Sequence, residues 1–319
     1  MRRIIQRIAA LASIAWIFLP GAASALTYGP PSLDLKADPG QVLKETLSLK
    51  NETSEPLTVT AEAMNFEGIP GDETSGVPQF SPVGQSVEGR ELASWMEFPD
   101  GKIVLAPGAQ DSLDFVIRVP ADAEAGSRFG AVALTTSSSG TGGGVSLVNK
   151  SMSLVLLAVS GDSKEELKLL SFKADPSVAG SLPVRFEARV RNDGDIHERP
   201  YGEVIVRNPF GRTVVTLPLN RTDNVSVLPG GARRLAATWS GRSGTKGTPT
   251  LIRQWKDFAV GPYTADIVLR YGGHQQLTGT VRFWMVPWAA LSVMAFGILA
   301  LALALRRFFS WYQARARHS

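Results

Sequence analysis

The chain has 319 residues, with 33 Lys or Arg, 29 Asp or Glu and no cysteine. Three of the basic residues precede Ile8 and four follow Leu305, which leaves 26 basic and 29 acidic residues between the two ends. The basic pI of 9.4 therefore arises at the ends of the chain and does not indicate a nucleic-acid-binding surface. The lack of cysteine excludes disulfide bonds, so the stability must come from packed cores.

The N-terminus has the pattern of a secretory signal peptide. Arg2 and Arg3 precede an apolar run over 8–19, and the small residues at 23–25 follow as a cleavage site. We expect residues 1–25 to be removed and the mature chain to begin near Leu26. The alternative is an uncleaved N-terminal membrane anchor.

The exported part of the chain is predicted to be all-β. Apolar and polar residues alternate with a period of two in short segments separated by turn residues, which is typical of antiparallel sandwiches. A polar stretch near 160–164 divides two immunoglobulin-like β-sandwich domains, predicted over 26–163 and 164–282. The strands are predicted at 45–50, 57–66, 101–105, 112–119, 129–135 and 151–159 in the first domain, and at 167–172, 184–191, 203–207, 213–217, 234–239, 262–271 and 276–283 in the second.

One pair of strands is expected to form a hairpin. The segments 101–105 and 112–119 are joined by a Pro107-Gly108 turn, which favours direct pairing of the two strands. The apolar residues of the second strand, Leu113, Phe115, Ile117 and Val119, share one face, which we expect to be buried.

The two domains differ in charge. Leu26 to Ser163 carries 8 basic and 18 acidic residues, whereas Lys164 to Leu305 carries 18 basic and 11 acidic residues. A basic domain beside a membrane could lie against anionic headgroups. The alternative is a difference of composition without function.

A transmembrane helix is predicted over 283–305, followed by a basic cytoplasmic tail over 306–319. About 20 apolar residues are enough to span the hydrocarbon core. Trp284 and Trp288 would anchor the outer end, while Arg306 and Arg307 would hold the tail in the cytoplasm by the positive-inside rule. The chain is thus expected to cross the cell membrane once, with its N-terminal ectodomain extracytoplasmic. The alternative is a buried core helix.

Exposed aromatic and basic residues near loops are the candidate partner-binding residues, because aromatic and arginine side chains dominate binding energy at interfaces. Trp239 ends an alternating strand and is expected in the core. For Trp95 and Trp255 the alternative is that the ring fills a core or an interface between domains. The candidates are Trp95, Arg242, Lys246, Arg253, Trp255 and Lys256.

Catalytic and metal-binding motifs are not found in the sequence. His197 and His274 are expected to be solvated turn residues, and His318 lies in the tail. Asp193 and Asp195 could contribute to a calcium site, although a tight turn explains their spacing equally well. We expect no catalytic residue, no cofactor and no metal, and no enzymatic activity.

Short motifs resemble a known family. The stretch from Val119 to Gly126 leads into a glycine-containing strand at 129–132, and the second domain repeats turn motifs at 190–197, 200–202, 227–230 and 262–263. In these motifs the chain is similar to the WxL-interacting protein family of bacterial cell-surface proteins. The resemblance implies two immunoglobulin-like domains and one transmembrane helix. It also implies peptidoglycan binding by the first domain and binding of a host or partner protein by the second. Residues 32–35 depart from the aromatic-containing opening of that family.

The predicted function is therefore non-catalytic. We expect a membrane-anchored protein of the bacterial cell envelope that binds a surface protein or cell-wall polymer as an adhesin or scaffold. The alternative is an extracytoplasmic assembly factor, or chaperone-like protein, for exported clients. In that case a sheet edge would pair with an extended segment of the client.

Overall fold

The computed structural model describes residues 26–68, 78–85, 89–138, 149–221, 225–241, 252, 254 and 259–316. The predicted signal peptide lies outside these residues. Within them the chain forms strands and one long helix, and it divides into two compact units with a boundary between Asp162 and Ser163. The predicted fold class is confirmed: two immunoglobulin-like β-sandwiches are followed by one apolar helix.

In the described residues, the first sandwich has ten strands. Alternating sequences such as that at 112–119 present apolar side chains to one side only, so each such strand can serve as one wall of a core. The strands are β1 (Leu26–Gly29), β2 (Ser32–Ala37), β3 (Val42–Asn51), β4 (Leu57–Gly68), β5 (Pro78–Pro82), β6 (Met96–Glu97), β7 (Lys102–Leu105), β8 (Gln110–Arg118), β9 (Gly126–Ser138) and β10 (Asn149–Val159).

These strands form two sheets that face each other. One sheet has the order β1-β3-β8-β6, and the other has the order β2-β10-β9-β4-β5 with β7 also paired to β4. The predicted face of β8 is confirmed, since Leu113, Phe115 and Ile117 are buried and pack against the opposite sheet. The predicted hairpin is wrong, because β7 pairs with β4 while β8 pairs with β3. The Pro107-Gly108 turn carries the chain from one sheet to the other.

The second sandwich has eight strands in two sheets within the part of the chain that the structure describes. The strands are β11 (Leu167–Asp175), β12 (Val178–Ala179), β13 (Val184–Asn192), β14 (Tyr201–Arg207), β15 (Thr213–Leu219), β16 (Ala232–Trp239), β17 (Gly261–Tyr271) and β18 (Gln275–Met285). The sheet orders are β11-β13-β16 and β12-β18-β17-β14-β15.

Aromatic rings form the centre of the second core. The ring of Phe283 lies 5.4 Å from that of Phe186 and 5.7 Å from that of Tyr263, and Trp239 is 6.0 Å from Tyr263. Such tilted and edge-on pairs contribute beyond the area they bury. The expectation that Trp239 belongs to the core is confirmed.

The apolar helix α1 spans Trp288–Ala316. The prediction that it begins at residue 283 is wrong, because 283–285 belong to β18, where Phe283 and Met285 are buried in the sandwich. The helix also continues through the predicted tail as far as Ala316. Its segment Trp288–Trp311 has a mean hydropathy of 2.3 and is long and apolar enough to cross a membrane.

Candidate functional site

Trp95 closes one end of the first sandwich. It ends a short 3-10 turn at Ala93–Trp95, which is fixed because the side-chain oxygen of Asn65 accepts the N–H groups of Leu92 at 3.2 Å and Ala93 at 2.9 Å. The indole is half-buried and packs against the core. Trp95 therefore packs against the core, as one of the two sequence-based interpretations expected, and its role in partner binding stays a prediction.

A buried arginine lies over Trp95. The side chain of Arg128 on β9 is only 8% exposed, and its guanidinium carbon is 5.7 Å from the centre of the indole ring, within cation–π range. Its Nη1 and Nη2 donate long hydrogen bonds to the backbone oxygens of Ser127 at 3.4 Å and Glu124 at 3.3 Å. Burial lowers the pKa of Arg128, and the nearby Glu124 charge partly offsets this effect. Sequence reasoning missed this residue, because nothing in a strand pattern marks a buried cation.

Arg90 joins this cluster from a neighbouring segment. The backbone N–H of Phe129 donates to the carbonyl of Arg90 at 2.9 Å, and Glu91 forms a parallel bridge with Phe129, so the side chains of Arg90 and Arg128 share one face. Within the described part of the chain, Nη1 of Arg90 and Nδ2 of Asn65 are buried without a hydrogen-bond partner. The side chains of Arg90, Arg128 and Asn65 thus place several hydrogen-bond donors near Trp95, an arrangement that suits either a structural role or the binding of a partner.

The chain changes sheets between β1 and β2 and leaves the first residues of β10 without a strand paired on one side. β1 pairs with β3, but Pro30 and Pro31 lack the N–H groups needed to continue a ladder, and β2 then joins the other sheet parallel to β10. The register runs from Ser32 opposite Leu154 to Ala37 opposite Val159. Among the described strands, none pairs with residues 149–153 of β10 on the side away from β9. We call this stretch the β10 edge.

In the β10 edge, the backbone N–H and C=O groups of two residues are directed away from β9. The N–H groups of Leu154 and Ser160 donate to Pro31 and Ala37 at 3.0 and 2.9 Å, so even-numbered residues of β10 direct their N–H and C=O groups away from β9. Met152 and Lys150 are the even-numbered residues without β2 beside them. The carbonyl of Met152 accepts a hydrogen bond from the hydroxyl of Tyr28 at 3.0 Å. The hydroxyl of Ser153 also donates to the carbonyl of Pro30 at 2.7 Å, so two side-chain hydrogen bonds connect the β10 edge with the residues before β2.

A second edge in the same sandwich differs in charge. β8 pairs with β6 only through Val116 and Ile117 on its outer side. The rest of β8 carries Asp111 and Asp114, and acidic side chains along an edge discourage strand pairing. This acidic edge provides a natural comparison for the β10 edge.

The first turn of α1 is hydrogen-bonded to the buried side chain of Gln254. The backbone N–H of Ala290, in the first turn of the helix, donates to the side-chain oxygen of Gln254 at 3.0 Å, and both residues are buried. This contact satisfies one of the N–H groups that a helix start leaves free. Trp284 and Trp288, the predicted outer anchors, are 52% and 64% exposed.

The remaining predicted site residues divide into two groups. Arg306 and Arg307 lie in α1 and are exposed, as the prediction of a charged membrane boundary requires. The loop candidates lie outside the described residues, so their role in partner binding stays a prediction. These are Arg242, Lys246, Arg253, Trp255 and Lys256.

In the turn at 192–195, which was considered for calcium, the carboxylate of Asp193 is paired with cationic side chains. Nε and Nη2 of Arg191 donate to the two carboxylate oxygens of Asp193 at 2.6 and 3.1 Å, and Nζ of Lys168 lies 2.6 Å from the same carboxylate. These bonds lower the pKa of Asp193 to about 2. No group of three or more His, Asp or Glu residues suited to a metal occurs in the described ranges.

The histidines differ from each other in environment. His274 is exposed in a turn, as expected, but the expectation that His197 is solvated is wrong, since its side chain is 6% exposed. Its neighbour Glu198 is also buried and accepts the backbone N–H of Gly272 at 3.0 Å. Both residues follow a strand end, where sequence alone does not distinguish a buried loop from an exposed one.

Comparisons with known proteins show a similarity of fold. No protein family and no curated protein matches the sequence. The solved class 5 fimbriae chaperone CfaA is 12% identical, with a TM-score of 0.38 over 82% of this chain and 99% of that chain. The Pseudomonas aeruginosa CupB2 chaperone is 11% identical, with a TM-score of 0.34 over 81% and 100%. A Salmonella enterica SafA pilin complex with the SafB chaperone gives 12% identity and a TM-score of 0.37 over 82% and 96%. At these identities the likeness concerns the fold alone.

Proposed function

We propose that the chain is a single-pass membrane protein of the cell envelope, with both sandwiches extracytoplasmic and the C-terminus in the cytoplasm. The side chains of α1 beyond its first turn are almost all exposed, which suits a helix surrounded by lipid and not the core helix of a soluble protein. Arg306 and Arg307 follow the uncharged run at 288–305, as the positive-inside rule requires of a cytoplasmic end. The signal-peptide pattern at the N-terminus is consistent with export of the sandwiches.

We propose further that the first sandwich binds an extended segment of an exported protein at the β10 edge and assists its assembly. The observation that supports this proposal is the five-residue stretch at 149–153 that β2 does not cover. A segment added there would continue the line of β2 at about 4.8 Å from β10. It would pair with the outward N–H and C=O groups of Lys150 and Met152.

In this proposal the hydroxyl of Tyr28 occupies the hydrogen-bonding position that the client would take. It satisfies the carbonyl of Met152 while the edge is empty, and an incoming backbone N–H would replace it. The cost of binding is then small, because one hydrogen bond is exchanged for another. Function requires no catalysis in this scheme, since main-chain hydrogen bonds supply the affinity and alternate side chains supply the specificity.

Proline substitution tests the proposal. Met152→Pro removes an outward N–H and leaves the β9 ladder intact, because only odd-numbered residues of β10 face β9. Asp114→Pro makes the same change on the acidic edge, since odd-numbered residues of β8 face β3 there. Both full-length variants are cross-linked in native membranes, captured by affinity and analysed by mass spectrometry. We expect Met152→Pro to lose its captured exported proteins and Asp114→Pro to retain them.

The adhesin or wall-binding interpretation rests on the family resemblance. A parallel incubation of both variants and the unsubstituted protein with purified peptidoglycan separates the two functions. Retention on peptidoglycan that is equal in all three proteins, together with equal capture of exported proteins, would refute binding at the β10 edge and favour the wall-binding scaffold.

A further inference from the structure

One end of the second sandwich is set beside the start of α1. β18 ends at Met285, which pairs with Gly261 at the start of β17, and β14 ends at Arg207, which pairs with Thr264. The turn that follows β14, at 208–212, therefore extends toward the level of Gly261. Pro209 confirms this position, because its Cγ lies 3.1 Å from the place that a Cβ on Gly261 would occupy.

This turn holds a phenylalanine in solvent. Phe210 is 88% exposed, the most exposed of the large apolar side chains among the described residues. The turn is fixed by Asn208, whose side-chain oxygen accepts the N–H groups of Phe210 and Arg212 at 3.0 Å each. The backbone of Asn208 also exchanges hydrogen bonds with Gly211 and Arg212. A single exposed apolar side chain is normal on a protein surface, so Phe210 gains meaning only if other exposed apolar side chains lie near it.

Other exposed apolar side chains lie at the same level. Trp284 is exposed next to the end of β18, and Trp288 is exposed at the first residue of α1. Val178 pairs with Trp284, and Val260 precedes the start of β17; both are exposed. We name Val178, Phe210, Arg212, Val260, Trp284 and Trp288 the juxtamembrane rim.

We propose that the juxtamembrane rim lies in the headgroup layer of the bilayer that α1 spans, so that the second sandwich rests on the membrane. This inference depends on the proposed membrane anchoring. Phe210 is level with Met285, three residues before α1, which at about 3.3 Å per residue places it roughly 10 Å from the first helical residue. Amphipathic aromatic rings and arginine are the side chains that the interface favours, and Arg212 supplies a cation for lipid phosphates.

The Gln254 contact makes this docking specific. Because the Ala290 N–H is bonded to Gln254, and a Cβ on Gly180 would lie 3.7 Å from the carbonyl oxygen of Val286, the first turn of α1 is held against the sandwich. The helix direction therefore determines which end of the sandwich meets the bilayer. A flexible linker would leave the rim free to face water.

Site-specific fluorescent labels test the inference, since the chain has no native cysteine. Full-length protein is reconstituted in lipid nanodiscs with a single cysteine label at Arg212→Cys, Tyr201→Cys or Ala300→Cys. Tyr201 is an exposed residue at the opposite end of β14, about 20 Å farther from the bilayer at 3.3 Å per residue. Ala300 lies in the middle of the apolar segment and reports the anchor itself.

Spin-labelled lipids serve as the quenchers. With the nitroxide on the headgroup, we expect the label at 212 to lose most of its emission and the label at 201 to keep it. Adding Phe210→Ser should reduce the quenching at 212. With the nitroxide on the acyl chain, the label at 300 should be quenched.

The three label positions distinguish failure of the proposed membrane anchor from failure of the docking inference. An unquenched label at 300 would refute the membrane anchor and the rim together. Quenching at 300, combined with equally weak quenching at 212 and 201, would overturn the docking inference and leave the anchor standing.

Discussion

Asn51 is a buried side chain whose removal should selectively weaken the first sandwich. It ends β3 and is fully buried, and its Nδ2 group contacts the carbonyl oxygens of Glu55 at 2.8 Å, Leu105 at 3.2 Å and Ala106 at 3.1 Å. Its Oδ1 accepts the backbone N–H and the hydroxyl of Thr53 at 2.9 and 2.7 Å. One side chain thus joins the end of β3, the following turn and the end of β7.

The second sandwich contains the same arrangement around Asn192 at the end of β13. Its Nδ2 donates to the carbonyls of Ile196 at 2.7 Å and Val227 at 2.9 Å, and its Oδ1 accepts the N–H of Gly194 at 2.9 Å. The two asparagines therefore allow each sandwich to be weakened separately.

Asn51→Ala removes about three hydrogen bonds, because Nδ2 has two hydrogens for its three carbonyls and the Thr53 hydroxyl can donate to Glu55 instead. At about 1 kcal/mol per net bond, the free energy of unfolding should fall by about 3 kcal/mol. For a domain of this size the melting temperature should fall by roughly 10 °C. Asn149→Ala is the control, because Asn149 is exposed on β10.

Thermal unfolding with limited proteolysis at each temperature measures which sandwich opens. We expect Asn51→Ala to expose cleavage sites in the first sandwich at lower temperature, Asn192→Ala to do so in the second, and Asn149→Ala to do neither. A loss of about 1 kcal/mol or less for Asn51→Ala, within the value of a single hydrogen bond, would refute the reasoning. Equal destabilisation of both sandwiches by one substitution would also refute it.

Two further predictions concern the second sandwich. Because Arg191 and Lys168 lower the pKa of Asp193 from 3.8 to about 2, the stabilisation from this group is present above about pH 4 and is lost as the pH falls through about 2. Carboxylate NMR of the unsubstituted protein and of Arg191→Gln should show the pKa of Asp193 rise in the variant. Gln254→Ala leaves the Ala290 N–H without its acceptor, so hydrogen exchange there should become about fivefold faster, as expected for a lost helix cap of about 1 kcal/mol.

Each of these two predictions has a clear contrary result. An unchanged titration of Asp193 in Arg191→Gln would mean that the guanidinium does not hold the carboxylate in solution. Unchanged exchange at Ala290 would mean that the first turn of α1 is held by contacts other than Gln254, and the rigid junction would lose its main support.

The strands were predictable because burial on one face imposes a period of two. In the strand predicted at 184–191, which is β13, every second residue is buried: Val184, Phe186, Ala188 and Val190. The pairing partners were not predictable, since alternation says which face of a strand is buried and nothing about its neighbours. This is why the hairpin between β7 and β8 was expected and why the change of sheet at Pro30 was missed.

The candidate site, the β10 edge, was harder to predict from the sequence. The β10 edge results from where β2 begins, at Ser32 opposite Leu154, and a register between distant segments has no local signature. The Pro30-Pro31 pair was the one available signal, because two residues without N–H groups interrupt a ladder. The start of α1 was placed five residues early because β18 is apolar up to the helix, and hydropathy does not distinguish a buried strand from a membrane segment.

Photo-cross-linking tests directly whether the β10 edge binds exported proteins. A photoreactive amino acid is placed at Lys150 of the full-length protein in intact cells, and the same residue at Asp114 on the acidic edge is the control. We expect the probe at 150 to become covalently joined to extended segments of exported proteins, while the probe at 114 does not. Equal products at both positions, or cross-links at 150 to cell-wall polymer alone, would contradict binding at the β10 edge.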